Sequence, residues 1–151
     1  MPKAVTIRPA RHSDIDSLVL LLGELFSIEE DFVVEGERQR RGLEMLLNQG
    51  RGRILTAVSA DGTVVGMCTG QLTVSTAEGG PAVLIEDVIV REDWRGHGVG
   101  AQLMDSITAW ARDNEATRIQ LLADRNNQPA LQFYKYLGWE PTQLICQRKR
   151  L

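Results

Sequence analysis

Two groups of residues in this chain could do chemistry. The first is Glu86-Asp87, a pair of carboxylates inside the otherwise apolar run Ala82 to Val90. An unpaired charge in an apolar strand is costly, so Glu86 asks for a purpose such as accepting a proton. Strand alternation predicts that Asp87 points to the opposite face. The second group follows directly, in the stretch LIEDVIVREDWRGHGVGA from Leu84 to Ala101. Here an apolar strand runs through a short polar turn into glycines that open a helix near Val99. Gly96, Gly98 and Gly100 let a backbone approach a ligand with no Cβ in the way, and the helix aims its unpaired N–H groups and positive dipole end at the same place. Arg95 to Ala101 therefore reads as a cradle for a pyrophosphate.

Two nucleotide readings compete for that cradle. Gly96, Gly98 and Ala101 also satisfy the dinucleotide fingerprint G-x-G-x-x-A, with Asp124 after the next strand as a ribose ligand. A dinucleotide fold puts its glycines directly after the first strand, whereas Arg91 to Arg95 intervene here and too little chain follows for a doubly wound sheet. A Walker loop would need Gly-Lys-Ser or Gly-Lys-Thr, which is absent. Coenzyme A is the reading that remains.

Val5 to Arg8 predicts a first strand, and Ser13 or Asp14 caps a helix with the apolar stripe Ile15, Leu18, Val19, Leu22, Leu25 and Phe26. The acidic stretch Glu29, Glu30, Asp31, Glu35 and Glu37 leads to a shorter helix carrying Leu43, Leu46 and Leu47. Arg53 to Ser59 and Val64 to Thr73 form a hairpin about Asp61-Gly62. The central strand, Ala82 to Val90, is followed by a helix that buries Val99, Leu103, Ile107, Trp110 and Ala111. A strand at Arg118 to Ala123, a helix from Gln128 to Leu137 and a last strand at Leu144 to Lys149 complete an α+β order around one mixed, mostly antiparallel sheet.

Composition sets outer bounds. At 151 residues with 43% hydrophobic content, the chain suits one domain over residues 1–151. A formal charge of −3 argues against a nucleic-acid partner, and Arg148, Lys149 and Arg150 read as a solvated end. Cys68 and Cys146 lack metal or redox spacing and are expected as reduced core residues. His12 and His97 suggest no metal site. The absence of a leader or a long apolar run predicts a cytoplasmic protein with no membrane partner.

Arg95-Gly96-His97-Gly98-Val99-Gly100 resembles the R/Q-x-x-G-x-G/A signature of the GNAT superfamily of acyl-CoA N-acyltransferases. Asn127 to Trp139, NQPALQFYKYLGW, resembles that family's N-x-x-A-x-x-F/L-Y-x-x-x-G-F/W segment. The resemblance implies a single-domain GNAT-like fold with a sheet of six to seven strands, about four helices and a splayed central strand pair. It implies acetyl-CoA as cosubstrate, with the backbones of Val88, Ile89 and Val90 pairing with the pantetheine arm. Arg95, Gly96, His97, Gly98, Val99, Gly100 and Ala101 would hold the pyrophosphate, while Asn127, Ala130 and Tyr134 would contact the rest of the cofactor. Tyr134 aligns with the family's acid, set to hydrogen-bond the thioester sulfur, although Ala130, Phe133, Tyr134 and Leu137 also make a core stripe. Dimers are common in the family that the chain resembles, so a homodimer is one open expectation for the oligomeric state.

Glu86-Asp87, nine and eight residues before Arg95, is similar to the Leu-Glu-Asp segment of polyamine N-acetyltransferases, where the glutamate acts on the substrate amine. An alkylammonium of pKa near 10.4 is neutral in roughly one molecule in 2,500 at pH 7, a deficit of about 4.6 kcal/mol. Glu86 is the candidate proton acceptor, through a water relay; a salt bridge to a surface arginine is its structural alternative. Glu29, Glu30 and Glu86 are the candidate acceptor-binding residues, since acidic groups after the first helix attract a cationic amine. The expected reaction is direct attack of a small amine on acetyl-CoA in a ternary complex. A non-catalytic acyl-CoA-binding or regulatory module and acetylation of protein or peptide amines stay open.

Overall fold

The computed structural model describes residues 3–28 and 35–151. It divides into two compact units, residues 1–120 and 121–151, each described by itself. The first holds β1 (Val5–Pro9), α1 (Ile15–Ile28), α2 (Gly36–Asn48), β2 (Gly52–Ser59), β3 (Val64–Ser75), β4 (Gly80–Val90) and α3 (Val99–Asp113), and most of β5 (Ile119–Leu121). The second holds α4 (Gln128–Tyr136). The sheet order is β1-β2-β3-β4-β5, and the first four strands are antiparallel. Beside β4, the Thr117 N–H donates to the Pro81 carbonyl and the Val83 N–H to the Arg118 carbonyl, so the two segments advance in the same direction and the sheet is mixed.

Local chemistry explains most boundaries. The β2–β3 turn uses Gly62 at φ +86°, while the Asp61 carboxylate accepts from the Ser59 hydroxyl and, at 3.1 Å, from the Thr63 N–H. Ahead of α1 a single 3₁₀ turn, His12–Asp14, is fixed by the Asp14 carboxylate, which accepts from the Arg11 N–H at 2.7 Å and from both Arg8 Nη groups at 2.7 and 3.0 Å. The Arg8 guanidinium holds the Asp14 carboxyl below the usual carboxylate range.

One face of the sheet carries α1 and α2. Ile15, Leu18, Leu21, Leu22 and Leu25 of α1 and Leu43 of α2 pack with Ile54, Met67 and Ile89 of the strands. Each fully buried aliphatic side chain of this kind stabilises by roughly 2 kcal/mol. Val19, Phe26, Leu46 and Leu47, also expected in the stripes, are half-buried at the edge of this cluster. On the other face α3 lies close to the strands, because a Cβ on Gly66 would meet Val99 and Leu103 and one on Gly70 would meet Ile107. This close seat fixes where the N-terminus of α3 emerges.

Two expectations are corrected. The sheet has five strands, not six to seven, because Leu144 to Lys149 is not a strand; Leu144 and Ile145 are exposed. An apolar run states a preference for extended backbone, but a strand forms only where a neighbouring edge takes its N–H and C=O groups. In the same segment Cys146 is exposed instead of lying in a core, whereas Cys68 is buried as expected. No helix among the described residues is long and apolar enough to cross a membrane.

Candidate active site

The register of β3 against β4 shifts where the carboxylate pair sits. Cys68 opposes Val88 and Gly70 opposes Ile85, so Glu86 and Asp87 together face the single residue Thr69. This is a β-bulge, and it interrupts the strict alternation expected of Glu86 and Asp87. Thr69 Oγ1 donates to Asp87 Oδ2 at 2.7 Å and accepts from the Asp87 N–H at 3.1 Å. Burial pushes the Asp87 carboxyl up to about 6, against the pull of the Thr69 hydrogen bond and with a further push from Glu86. Glu86 itself is exposed. The costly carboxylate in the apolar strand is therefore Asp87, and Glu86 is the one open to an acceptor. No salt bridge holds Glu86 among the described residues.

Val88, Ile89 and Val90 pair with Cys68, Met67 and Gly66 on the β3 side. On the other side β5 is three residues long, while β4 runs on to Val90. Arg95 Nε donates to the Val90 carbonyl at 2.9 Å and so ties the glycine loop back to the strand end. Between them a 3₁₀ turn, Glu92–Trp94, is braced by Arg91 on both Asp93 carboxylate oxygens at 2.6 and 2.7 Å and by Lys3, 4.8 Å from the Trp94 ring centre.

Gly96 and Gly98 have φ of +76° and +82°, where a Cβ is strained, and nothing lies within 4 Å of where a Cβ would stand on either. Gly98 is the N-cap of α3, and the first intrahelical bond reaches back to it only from Gln102 at 3.1 Å. The N–H groups of Val99, Gly100 and Ala101 thus have no partner within the helix. A cradle of open backbone donors with a left-handed rim fits a pyrophosphate. His97 is half-buried.

The second unit carries the other predicted residues. Asn127 caps α4, its Oδ1 accepting from the Ala130 N–H at 3.2 Å, and Pro129 stands in the first turn. Tyr134 is half-buried between Phe133 and Trp139, with ring centres 5.3 and 5.8 Å away. Asp124 accepts from the Asn126 N–H at 2.8 Å, a turn role that employs the residue named for a ribose. Glu29 and Glu30, with Asp31, lie outside the described residues. Thr69 was missed from the sequence, and Asp87 received no role; both sit in apolar runs, and only the bulge brings them together.

The family model described as "Acetyltransferase (GNAT) family" matches residues 20–139. The chain belongs to the GNAT acetyltransferases. It is 27% identical over 145 residues to aminoglycoside N(6')-acetyltransferase type 1 of Stenotrophomonas maltophilia, covering 94% of this chain and 90% of that one. It is 25% identical over 146 residues to thialysine N-epsilon-acetyltransferase of Bos taurus, covering 89% and 83%. The solved aminoglycoside N-acetyltransferase AAC(6')-Iy in complex with CoA superposes with a TM-score of 0.83 at 20% identity over 100% of this chain and 98% of that one, a likeness of fold. This GNAT protein is an N-acetyltransferase, and its cosubstrate is acetyl-CoA.

Proposed function

We infer that this enzyme acetylates the primary amine of a small cationic acceptor, which attacks acetyl-CoA directly within a ternary complex. The observation that carries the reading is Glu86, an exposed carboxylate at the β4 bulge just ahead of the glycine-opened helix. A carboxylate there attracts an ammonium and receives its proton through water. The named acceptors of the two relatives, an aminoglycoside and thialysine, are both amines.

Bound acetyl-CoA supplies the activated acetyl thioester. Arg95, Gly96, His97, Gly98, Val99, Gly100 and Ala101 hold its pyrophosphate, and the strand end at Val88, Ile89 and Val90, where the central pair of strands splays, takes its pantetheine arm. In α4 the Asn127 side chain has an amide donor left over after capping, and the Tyr134 hydroxyl stabilises charge on the departing sulfur. A phenol near pKa 10 facing a thiolate near 8.5 is uphill by about 2 kcal/mol for full transfer, so stabilisation is the larger part of its role. No acyl-cysteine route is needed: burial pushes the Cys68 thiol up to about 12, which leaves it a poor nucleophile.

The test is release of free coenzyme A thiol from acetyl-CoA with a panel of polyamines, amino acids, aminoglycosides and peptide N-termini. Turnover is expected with multiply charged small amines. Turnover confined to peptides, or none with any amine, overturns the reading.

A further inference from the structure

The bulge in β4 is closed by one side chain. Where two residues face one, a backbone group loses its ladder partner. Here the Asp87 N–H is received by Thr69 Oγ1, and the same hydroxyl spends its single proton on Asp87 Oδ2. Thr69 is 1% exposed, so water does not compete for its hydroxyl, while Asp87 is half-buried. Asp87 has no salt bridge among the described residues, yet a carboxylate is kept in a place where an apolar residue would pack at no electrostatic cost.

We propose that Thr69 and Asp87 form a clasp that holds the β4 bulge and through it positions Glu86 for acetyl transfer. A hydroxyl bond to an ionised carboxylate is about twice as strong as one to a neutral acceptor, which gives the carboxylate its use. Ionised Asp87 draws the Thr69 proton firmly and leaves the oxygen's lone pair for the Asp87 N–H; protonated Asp87 loosens both. The clasp therefore tightens as Asp87 loses its proton. Among the described residues, the ionisable groups that act on it are Glu86 beside it on β4 and the Cys68 thiol on β3. Helix α1, which packs on this face, carries Asp16 and Glu24, and Asp16 is taken by Arg40 at 2.7 Å.

This rests on the role of Glu86 given above, and the experiment separates the two. In the full chain, kcat and KM are measured against pH with the best acceptor of the amine panel for the parent, Thr69→Val, Thr69→Ser and Asp87→Asn. In parallel, the Asp87 carboxyl carbon is titrated by NMR, a readout that needs no turnover. Thr69→Val is expected to lower kcat by about tenfold or more while KM for acetyl-CoA moves less than about threefold. Thr69→Ser recovers most of the rate, and Asp87→Asn removes the acidic inflection of kcat. Asp87 titrates near 6 in the parent and higher in Thr69→Val, because the hydrogen bond that favours its charged form is gone. An unchanged kcat in Thr69→Val, a serine variant as impaired as the valine one, or an unmoved Asp87 titration overturns the clasp. If the parent acetylates no amine, the functional reading falls and the titration alone decides the clasp. Thr69→Ala takes the same measurements should Thr69→Val fail to fold.

Discussion

The backbone N–H of Trp139 donates to the carbonyl of Tyr134 at 2.9 Å, and the two rings stand with centres 5.8 Å apart. With the Gly138 N–H on the Lys135 carbonyl at 3.0 Å and Gly138 at φ +90°, this is a Schellman cap with its accompanying apolar contact. The Tyr-x-x-x-Gly-Trp spacing is thus the geometry of one helix end. The glycine that stops α4 lets Trp139 fold back onto the residue proposed as the acid.

Tyr134→Phe keeps that ring contact and removes only the hydroxyl. Turnover should fall about ten- to thousandfold, the range for losing a positioned donor or charge stabiliser. A normal rate together with a lowered melting temperature would return Tyr134 to packing alone.

Gly98→Val places a branched side chain on the rim of the cradle. No protein atom lies within 4 Å of its Cβ, so the penalty to folding is the left-handed backbone, about 1–2 kcal/mol. The variant should fold and lose coenzyme A affinity by at least about tenfold. Calorimetry showing parental affinity in the folded variant would remove the cradle assignment.

Glu86→Gln should slow acetylation most near neutral pH and recover in part at alkaline pH, where the free amine becomes abundant. Coenzyme A binding should stay near the parental value. Parallel pH profiles for variant and parent, differing only by a constant factor, would give Glu86 a structural role and leave the proton to water or another group.

Asp87 predicts a pH-dependent stability of unusual sign for a carboxylate. Its folded value, about 6, lies above the unfolded one near 3.8, so between those values the folded state keeps a proton that the unfolded state has lost. Stability therefore declines as pH rises through that window, by about 3 kcal/mol. Asp87→Asn keeps the shape and the Thr69 acceptor, and should be more stable than the parent at pH 8, with the gap closing below pH 4. Urea denaturation at the two pH values checks this; equal gaps at both would contradict it.

Asp14 has the opposite sign. Arg8 and the Arg11 N–H hold its carboxyl below the unfolded value, so its contribution is present above about pH 4 and is lost as pH falls through the folded value. Asp14→Asn should destabilise by about 2 kcal/mol at pH 7 and by much less near pH 2, as read from denaturant midpoints. A loss that does not depend on pH would assign the effect to the 3₁₀ turn instead of the ion pair.

Short-range patterns determined the helices and the cradle. The stripes of α1 and α3, the Asp61-Gly62 turn, the Asn127 cap and the glycines before Val99 act over one or two turns of chain, so their residues carry the instruction within themselves. The last strand failed for the converse reason: Leu144 and Ile145 favour extended backbone, but pairing depends on an edge elsewhere in the chain. The carboxylate pair was legible as a pair, and its division of labour was not. Alternation assigns faces to Glu86 and Asp87 only if the register is regular, and a one-residue bulge opposite Thr69 decided which carboxylate is half-buried and which is exposed. Sequence set the residue types available to the site; the register of two strands distant in the chain set the environment, and with it the proton affinity, of Asp87.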